Sequence, residues 1–166
     1  MFDRAAIDKY LKQFDQMGRA TVKGIKAPHK PVLLLAVCNL IEKGIIANNH
    51  IELNKQLEQE FAEVWNTLVD NREQMQLDSV AETLFDKPTN KYPYKCNIAN
   101  PFYYLKSEPF WSLEKSEQWT ENKTWSVSSL RRCYKYAVMD ETLYELMKDN
   151  VTCQIIRAHL VYMTAY

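Results

Sequence analysis

The sequence has only three glycines and three histidines, and its four cysteines lie far apart. So few glycines, together with six prolines, argue against long linkers and low-complexity segments. No CxxC spacing indicates a zinc site, and Cys38 sits inside an apolar run, so we expect buried, reduced thiols rather than disulfides. The longest apolar run, Val32 to Cys38, is too short to span a bilayer, and no apolar signal segment is visible. We therefore expect a cytoplasmic protein with no membrane contact.

The motifs of common catalytic sites are also missing. The sequence contains no P-loop, GxGxxG or GxSxG motif, and its histidines lack the HxH or HxxxH spacing of a metal site. No segment has the ββα form of an HNH nuclease. Nuclease carboxylates must converge on a metal ion, and the lone Glu121-Asn122-Lys123 lies in an irregular stretch. We expect no catalytic residue, metal or cofactor, with a metal nuclease at residues 121–123 kept as an alternative.

Charge is balanced overall but unevenly distributed. The 166 residues suffice for one domain with a real core, and we assign 1–166 to that domain. Residues 1–30 carry seven basic and three acidic residues, 31–86 carry three and ten, and 87–136 carry nine and four. If the two basic blocks meet on one face, this neutral protein presents a cationic surface that suits nucleic acid. Solvated faces without a partner are the alternative.

Apolar periodicity predicts a mainly helical α+β domain with one small sheet. The helix that begins at Pro31 is apolar on every side, so it should lie in the middle of the fold. Three carboxylates, Glu58, Glu60 and Glu63, are expected on the outer face of the next helix. Residues 102–105 and 110–113 predict a β-hairpin, which leaves a winged-helix-like fold as a variant of this class. The predicted helices cover 4–17, 31–44, 53–69, 77–84, 141–148 and 151–162, and a further strand covers 134–139.

The stretch KAPHKPVLLLAVCNLIEKG, residues 26–44, places His29 and Lys30 between two prolines at the start of the central helix. The first turn of a helix leaves backbone N–H groups unpaired, and the helix dipole adds partial positive charge there. That end is a natural phosphate site, and the prolines restrict the backbone around it. Lys26, His29 and Lys30 are therefore candidate phosphate contacts. A solvated Lys30 and a His29 hydrogen-bonded to a neighbouring loop are the alternative.

A second informative stretch reads NPFYYL at Asn100–Leu105 and EPFWSL at Glu108–Leu113. Strand alternation would put Phe102 and Tyr104 on the same face. One face of the predicted hairpin must pack on the central helix. Aromatic side chains left on the other face, beside Pro101, would form an apolar notch with a basic rim. Burial of the whole cluster in the core is the alternative.

Three segments, in this order, carry a resemblance to a known family: APHKPVLLLAVCNLIEKGII, NPFYYL with PFWSL, and MDETLYELMKDNVTCQIIRAHLVYMTAY. Together they resemble the sulfur-binding domain of McrA-type, phosphorothioate-dependent type IV restriction endonucleases. The resemblance extends from about Ala27 to the C-terminus. In that family an HNH nuclease domain usually follows, and this sequence shows none. We therefore expect the chain to bind without cutting and a separate nuclease subunit to supply cleavage.

The resemblance implies recognition, in bacterial defence, of double-stranded DNA in which sulfur replaces a non-bridging phosphate oxygen. Sulfur is larger and less hydrated than oxygen, so a shallow apolar notch favours it over the charged oxygen. Carried over residue by residue, His29 and Lys30 would contact the DNA backbone. The sulfur notch would be formed by Asn100, Pro101, Phe102 and Tyr104.

Two positions depart from the family pattern. Asn100 stands where an aromatic residue is usual, and the bulky Tyr104 stands where a small residue is usual. We expect Tyr94, Tyr103 or Tyr104 to supply the missing ring, in a reshaped pocket.

Base recognition would fall to polar residues near the notch. Arg131 and Arg132 are the candidates, because arginine can pair bidentately with guanine, and simple phosphate contact is their alternative role.

Two other functions stay open. A winged-helix-like binder of ordinary DNA predicts no sulfur preference and steep salt dependence. A protein-interaction subunit of a restriction system predicts no DNA binding.

Overall fold

The computed structural model describes residues 4–71 and 92–165. These residues form a mainly helical α+β fold with two small sheets, which confirms the predicted fold class. In chain order the elements are α1 (Arg4–Asp15), β1 (Thr21–Val22), β2 (Ile25–Lys26), α2 (His29–Glu42), β3 (His50–Ile51), α3 (Lys55–Trp65), α4 (Ala99–Tyr104), β4 (Trp111–Lys115), α5 (Val127–Cys133), β5 (Tyr134–Met139), α6 (Glu141–Lys148) and α7 (Asn150–Ala165). A π-helical turn at Asn66–Asp70 continues α3, and a 3₁₀ turn at Leu105–Ser107 continues α4.

Helix α2 is the centre of the fold, as its all-round apolar sequence predicts. Ten of its 14 residues are buried, and it packs against α3, α4, α6 and α7. Pro31 lies in its first turn, where the missing N–H costs no helical hydrogen bond. Gly44, with a φ of 77°, follows the C-terminal cap and lets the chain turn away from the helix. Both ends of α2 therefore follow from local sequence.

The two sheets differ in size and surroundings. Strands β3, β5 and β4 form an antiparallel sheet in that order, with Val138 of β5 paired to His50 on one side and Ser112 on the other. Strands β1 and β2 form a separate hairpin, whose turn residues Lys23 and Gly24 have φ values of 53° and 77°. Two successive positive φ values are typical of the type I′ turn, which matches the natural twist of a hairpin.

The hairpin predicted for residues 102–113 is wrong. Residues 99–104 form helix α4, and only Trp111–Lys115 is a strand, which pairs with β5. Phe102 and Leu105 are both buried while Tyr104 is exposed, which is helical rather than strand spacing. Pro101 lies in the first turn of α4, where a helix accepts proline. The run of three aromatic residues and a leucine at 102–105 has no polar alternation, so its pattern does not decide between strand and helix.

One of the three carboxylates expected on the outer face of α3 is buried. Glu60 is 6% exposed, and its Oε1 lies 2.7 Å from Nζ of Lys43, which follows α2. The buried face of α3 therefore includes Glu60 in addition to the apolar residues of the helix. Burial of this carboxylate is possible because Lys43 forms an ion pair with it. Glu58 and Glu63 remain at the surface, as predicted.

The irregular stretch that contains residues 121–123 is followed by helix α5. Ser126 caps it by accepting a hydrogen bond from the Ser129 backbone, and the Ser129 side chain bonds back to Ser126. This reciprocal capping box satisfies two backbone donors and starts a seven-residue helix that its few apolar residues did not indicate.

Other expectations have mixed outcomes. Asp140 is the N-cap residue of α6, but its carboxylate accepts a hydrogen bond from Tyr10 and makes no capping hydrogen bond. Three cysteines are buried free thiols, as expected, whereas Cys96 is exposed. The helix predicted at 77–84 lies outside the described residues. Within the described ranges, no helix is both long and apolar enough to cross a membrane.

Candidate binding site at the start of helix α2

The two stretches singled out in the sequence meet at one cavity of about 320 Å³. His29 and Lys30 contribute from the start of α2, and Asn100 and Tyr104 contribute from α4. They are distant in sequence and adjacent here because α2 packs against α4. The remaining lining residues are Gly18, Arg19, Ala20, Ala27, Tyr94 and Ser107.

The His29 side chain is fixed in position by one hydrogen bond and by contacts with two aromatic rings. Its Nε2 lies 2.8 Å from the carbonyl oxygen of Lys95, and because a carbonyl only accepts, Nε2 carries the proton. The imidazole packs on the rings of Trp65 and Tyr94, with centroids 4.7 and 5.7 Å away. Burial lowers the pKa of His29 below its ordinary 6.5, against a smaller opposing effect of the Lys95 hydrogen bond. His29 is therefore neutral near pH 7, and it makes the loop contact that was its alternative role.

Lys30 is already paired. Its Nζ donates to the carbonyl of Gly18 at 2.7 Å and lies 3.2 Å from Oε1 of Glu108. The two side chains are only 12% and 10% exposed, and Glu108 also accepts a hydrogen bond from the Gly18 backbone N–H. The positive charge of Lys30 is thus largely neutralised, and the pair joins the start of α2 to residues 18 and 108.

Arg19 supplies the cavity with a cation that sequence reasoning did not single out. Its Nε donates to Ala27 O at 2.8 Å and its Nη2 to Met163 O at 2.9 Å. Burial lowers the pKa of Arg19, but a guanidinium stays protonated at neutral pH. Among the described residues it forms no ion pair with a carboxylate. Its only sequence signal is membership of a loop with several basic residues, which does not distinguish it from Lys23 or Lys26.

Helical geometry decides which α4 residues reach the cavity. Asn100 and Tyr104 are four residues apart and share one exposed face, and the Tyr104 side chain is 51% exposed. Pro101 and Phe102 are buried and do not line this cavity, and Phe102 lines the second cavity described below. Phe102 is 1% exposed and packs edge-to-face on Trp111, with centroids 5.7 Å apart.

Two of the three tyrosines considered for the missing ring line the cavity. Tyr94 does so while packing against His29, and Tyr104 does so from α4. Tyr103 instead stacks on Trp125, with centroids 4.9 Å apart, and is not among the lining residues.

The remaining predicted contacts lie elsewhere. Arg131 is tied to Leu53 O and to the carboxylate of Glu58, and it lines a second cavity of about 330 Å³ that shares no lining residue with the first. The structure therefore does not bring Arg131 to the site. Arg132 and Lys26 are exposed, Lys26 on strand β2.

No metal site is visible in residues 4–71 and 92–165, where no three His, Cys, Asp or Glu side chains could hold an ion together. Glu121 and Lys123 are exposed. No protein-family model matches this chain, and no curated protein is significantly similar to it.

The low pKa of His29 predicts how stability depends on pH. The unfolded chain takes up a proton on this imidazole near pH 6.5, and the folded protein does so only at lower pH. The unfolded state therefore binds more protons between these two pKa values, and stability falls as the pH drops below 6.5. Urea unfolding at pH 7.5, 6.5 and 5.5 should show this loss, and it should shrink in His29→Gln.

His50 and His159 are present in both proteins, so their contributions cancel when the two pH profiles are subtracted. Identical profiles for the wild type and His29→Gln would contradict the burial of a neutral His29.

Proposed function

We propose that this protein binds duplex DNA carrying a phosphorothioate, with the modified phosphate seated in the cavity between α2 and α4. One observation carries the proposal: the His29-Lys30 stretch and the Asn100–Tyr104 stretch line the same cavity. A backbone contact and a sulfur notch must meet at one phosphate group, so their convergence is the geometry that this function requires. Cleavage of the bound DNA, in a bacterial defence system, would be left to a separate nuclease subunit.

The charges around the cavity favour an anionic ligand. Between Gln16 and Pro31 the sequence has four basic residues and no acidic one. Lys30 is neutralised by Glu108, but Arg19, at the cavity wall, forms no ion pair with a carboxylate within residues 4–71 and 92–165. The positive end of the α2 dipole lies at the same wall. Phosphate is the anion that a duplex offers along its whole length.

The apolar part of the lining favours sulfur over oxygen. Tyr94, Tyr104, Ala20 and Ala27, whose side chains are aromatic rings or methyl groups, are among the lining residues. A phosphate oxygen that contacts such groups loses water without gaining hydrogen bonds, which is costly. Sulfur is more weakly hydrated and loses less, so the same contacts discriminate between the two atoms.

The deciding experiment is a gel-shift titration of one duplex in three forms: unmodified, and with a single phosphorothioate in the Rp or the Sp configuration. One stereoisomer places sulfur toward the cavity, so it should bind at least about tenfold tighter than the plain duplex, a difference of about 1.4 kcal/mol. Equal affinity for all three would contradict the sulfur claim and favour a binder of ordinary DNA. Absence of binding would favour a protein-interaction subunit instead.

Tyr104→Ala should reduce the ratio of modified to plain affinity, because the exposed ring contributes to the apolar wall but not to the core. Tyr162→Ala is the matched control, since Tyr162 is an exposed tyrosine on α7, outside the cavity. An unchanged ratio in Tyr104→Ala would exclude this ring from sulfur recognition.

A further inference from the structure

The β1–β2 hairpin lies beside the cavity and exposes two aliphatic side chains. Every residue from Thr21 to Lys26 is exposed, including Val22 at 41% and Ile25 at 39%. Val22 and Ile25 are direct cross-strand partners, so their side chains lie on the same face of the hairpin. Neither belongs to the hydrophobic core. A pair of exposed aliphatic residues beside the turn therefore lies outside the hydrophobic core of the described residues.

The hairpin is held in place by the same residues that build the cavity. Two strands of two residues each are not stable alone. The Tyr94 hydroxyl lies 2.6 Å from Ile25 O and 3.1 Å from Ala20 O, and it accepts a hydrogen bond from the Val22 N–H at 3.0 Å. Because the Tyr94 ring also packs on His29, the position of the hairpin is coupled to that of the phosphate-binding wall.

The charge of this region indicates the kind of partner. Lys23 occupies the turn, Lys26 lies on β2 and Arg19 lies at the base, with no acidic residue in the segment. A cationic hairpin with an apolar pair beside its turn is complementary to a DNA groove, where phosphates flank the edges of the bases. The major groove is wide enough for a two-stranded ribbon, and the thymine methyl group is its main apolar contact.

We infer that the hairpin Thr21–Lys26 enters the major groove of the DNA bound at the cavity, with Lys23 on a phosphate and Val22 and Ile25 against thymine methyl groups. This inference rests on the proposed function. It assigns base contact to the hairpin rather than to Arg131, which is tied to Glu58 away from the cavity. Tyr94 is then a positioning residue, since it orients the hairpin through its hydroxyl.

Three variants test the inference: two change side chains of the hairpin, and the third removes the hydroxyl contacts that hold the hairpin in place. Val22→Thr/Ile25→Thr keeps β-branched residues that favour strands but adds polar hydroxyls to the apolar pair. Lys23→Asn removes the charge and places a residue favoured in type I′ turns at a positive φ. Tyr94→Phe removes the three hydroxyl contacts and keeps the ring. Ile45→Thr is the matched control, because Ile45 is an aliphatic residue with 44% exposure outside the cavity and the hairpin.

The measurement is gel-shift affinity for a phosphorothioate duplex that contains thymine, and for the same duplex with deoxyuridine in place of every thymine. The wild type should lose about tenfold in affinity when the methyl groups are removed, as one lost base contact would give. Val22→Thr/Ile25→Thr should bind both duplexes equally, with about the affinity that the wild type has for the uracil duplex. Lys23→Asn should weaken binding to both duplexes and make the affinity less dependent on salt concentration. Tyr94→Phe should reduce the difference in affinity between the thymine and uracil duplexes. Thermal melting of each variant checks that it is folded.

The outcomes separate this inference from the proposed function. A wild type that binds phosphorothioate DNA while the hairpin variants and the uracil duplex match it in affinity would overturn the hairpin role and leave the cavity role standing. A wild type that binds none of the duplexes would overturn both. Ile45→Thr should stay within about twofold of the wild type, and a larger loss would show that the hairpin effect is not specific.

Discussion

Lys30→Ala is expected to destabilise the folded protein by about 2 to 3 kcal/mol, mainly because it leaves Glu108 without its cation. Both side chains are about nine-tenths covered, and the Lys30 Nζ also satisfies the carbonyl of Gly18. Removal of Lys30 leaves the Glu108 carboxylate charged and poorly solvated, without an ion-pair partner. The remaining hydrogen bond from the Gly18 N–H to Glu108 keeps the loss below that of a fully buried pair. Urea unfolding at neutral pH measures it.

The double variant Lys30→Met/Glu108→Gln separates a structural role from a DNA contact. It removes both charges, keeps similar side-chain volumes and leaves an acceptor for the Gly18 N–H, so stability should return to within about 1 kcal/mol of the wild type. If Lys30 only positions the start of α2, the double variant should also keep its affinity for plain DNA. Restored stability with weakened DNA binding would show that Lys30 leaves Glu108 to contact phosphate. A double variant as unstable as Lys30→Ala would contradict the explanation that Lys30→Ala is unstable because Glu108 has lost its cation.

The parts of the fold that the sequence predicts well are those that short-range physics decides. Helix α2 combines a proline in its first turn, an unbroken aliphatic stretch and a glycine after its end, and each signal acts within a few residues. Helix α4 was predicted as a strand because its four apolar residues fit either structure. The second half of the predicted hairpin, β4, instead pairs with β5, a contact that the local sequence does not show.

In the candidate site, too, the sequence predicts some features, whereas contacts between distant residues decide the others. The sequence predicted that the stretches around His29 and Asn100 belong together, and they line one cavity. It did not predict that Glu108 neutralises Lys30 or that Arg19 forms no ion pair with any carboxylate in the described part of the chain. Ion pairing between distant residues depends on the tertiary fold, so no local sequence pattern could show which of the several basic residues forms an ion pair. Once α4 is known to be a helix, the burial of Phe102 beside the exposed Tyr104 follows from helical spacing.

The electrostatic state of the site also depends on a residue that lies outside both stretches. Trp65, at the end of α3, is 1% exposed and packs its ring on His29, with centroids 4.7 Å apart. Its Nε1 donates to Asp70 Oδ1 at 3.0 Å, which joins α3 to the following π-helical turn. The indole thus covers the imidazole with apolar surface and helps to keep it neutral.

Trp65→Ala is therefore expected to have two effects. Loss of a fully buried indole should destabilise the protein by about 3 to 5 kcal/mol, because the surrounding helices cannot fully close the space that it leaves. Greater access of water to His29 should raise the pKa of this imidazole toward its ordinary 6.5. Urea unfolding measures the first effect, and NMR titration of the His29 ring protons measures the second.

Trp65→Phe is the graded control, since it keeps an aromatic ring over the imidazole and loses only part of the packing and the hydrogen bond to Asp70. It should cost less stability than Trp65→Ala, about 1 to 3 kcal/mol, and it should leave the pKa of His29 low. Since desolvation is the main cause of the lowered pKa, an unchanged His29 titration in a folded Trp65→Ala protein would show that Trp65 is not the group that excludes water from it.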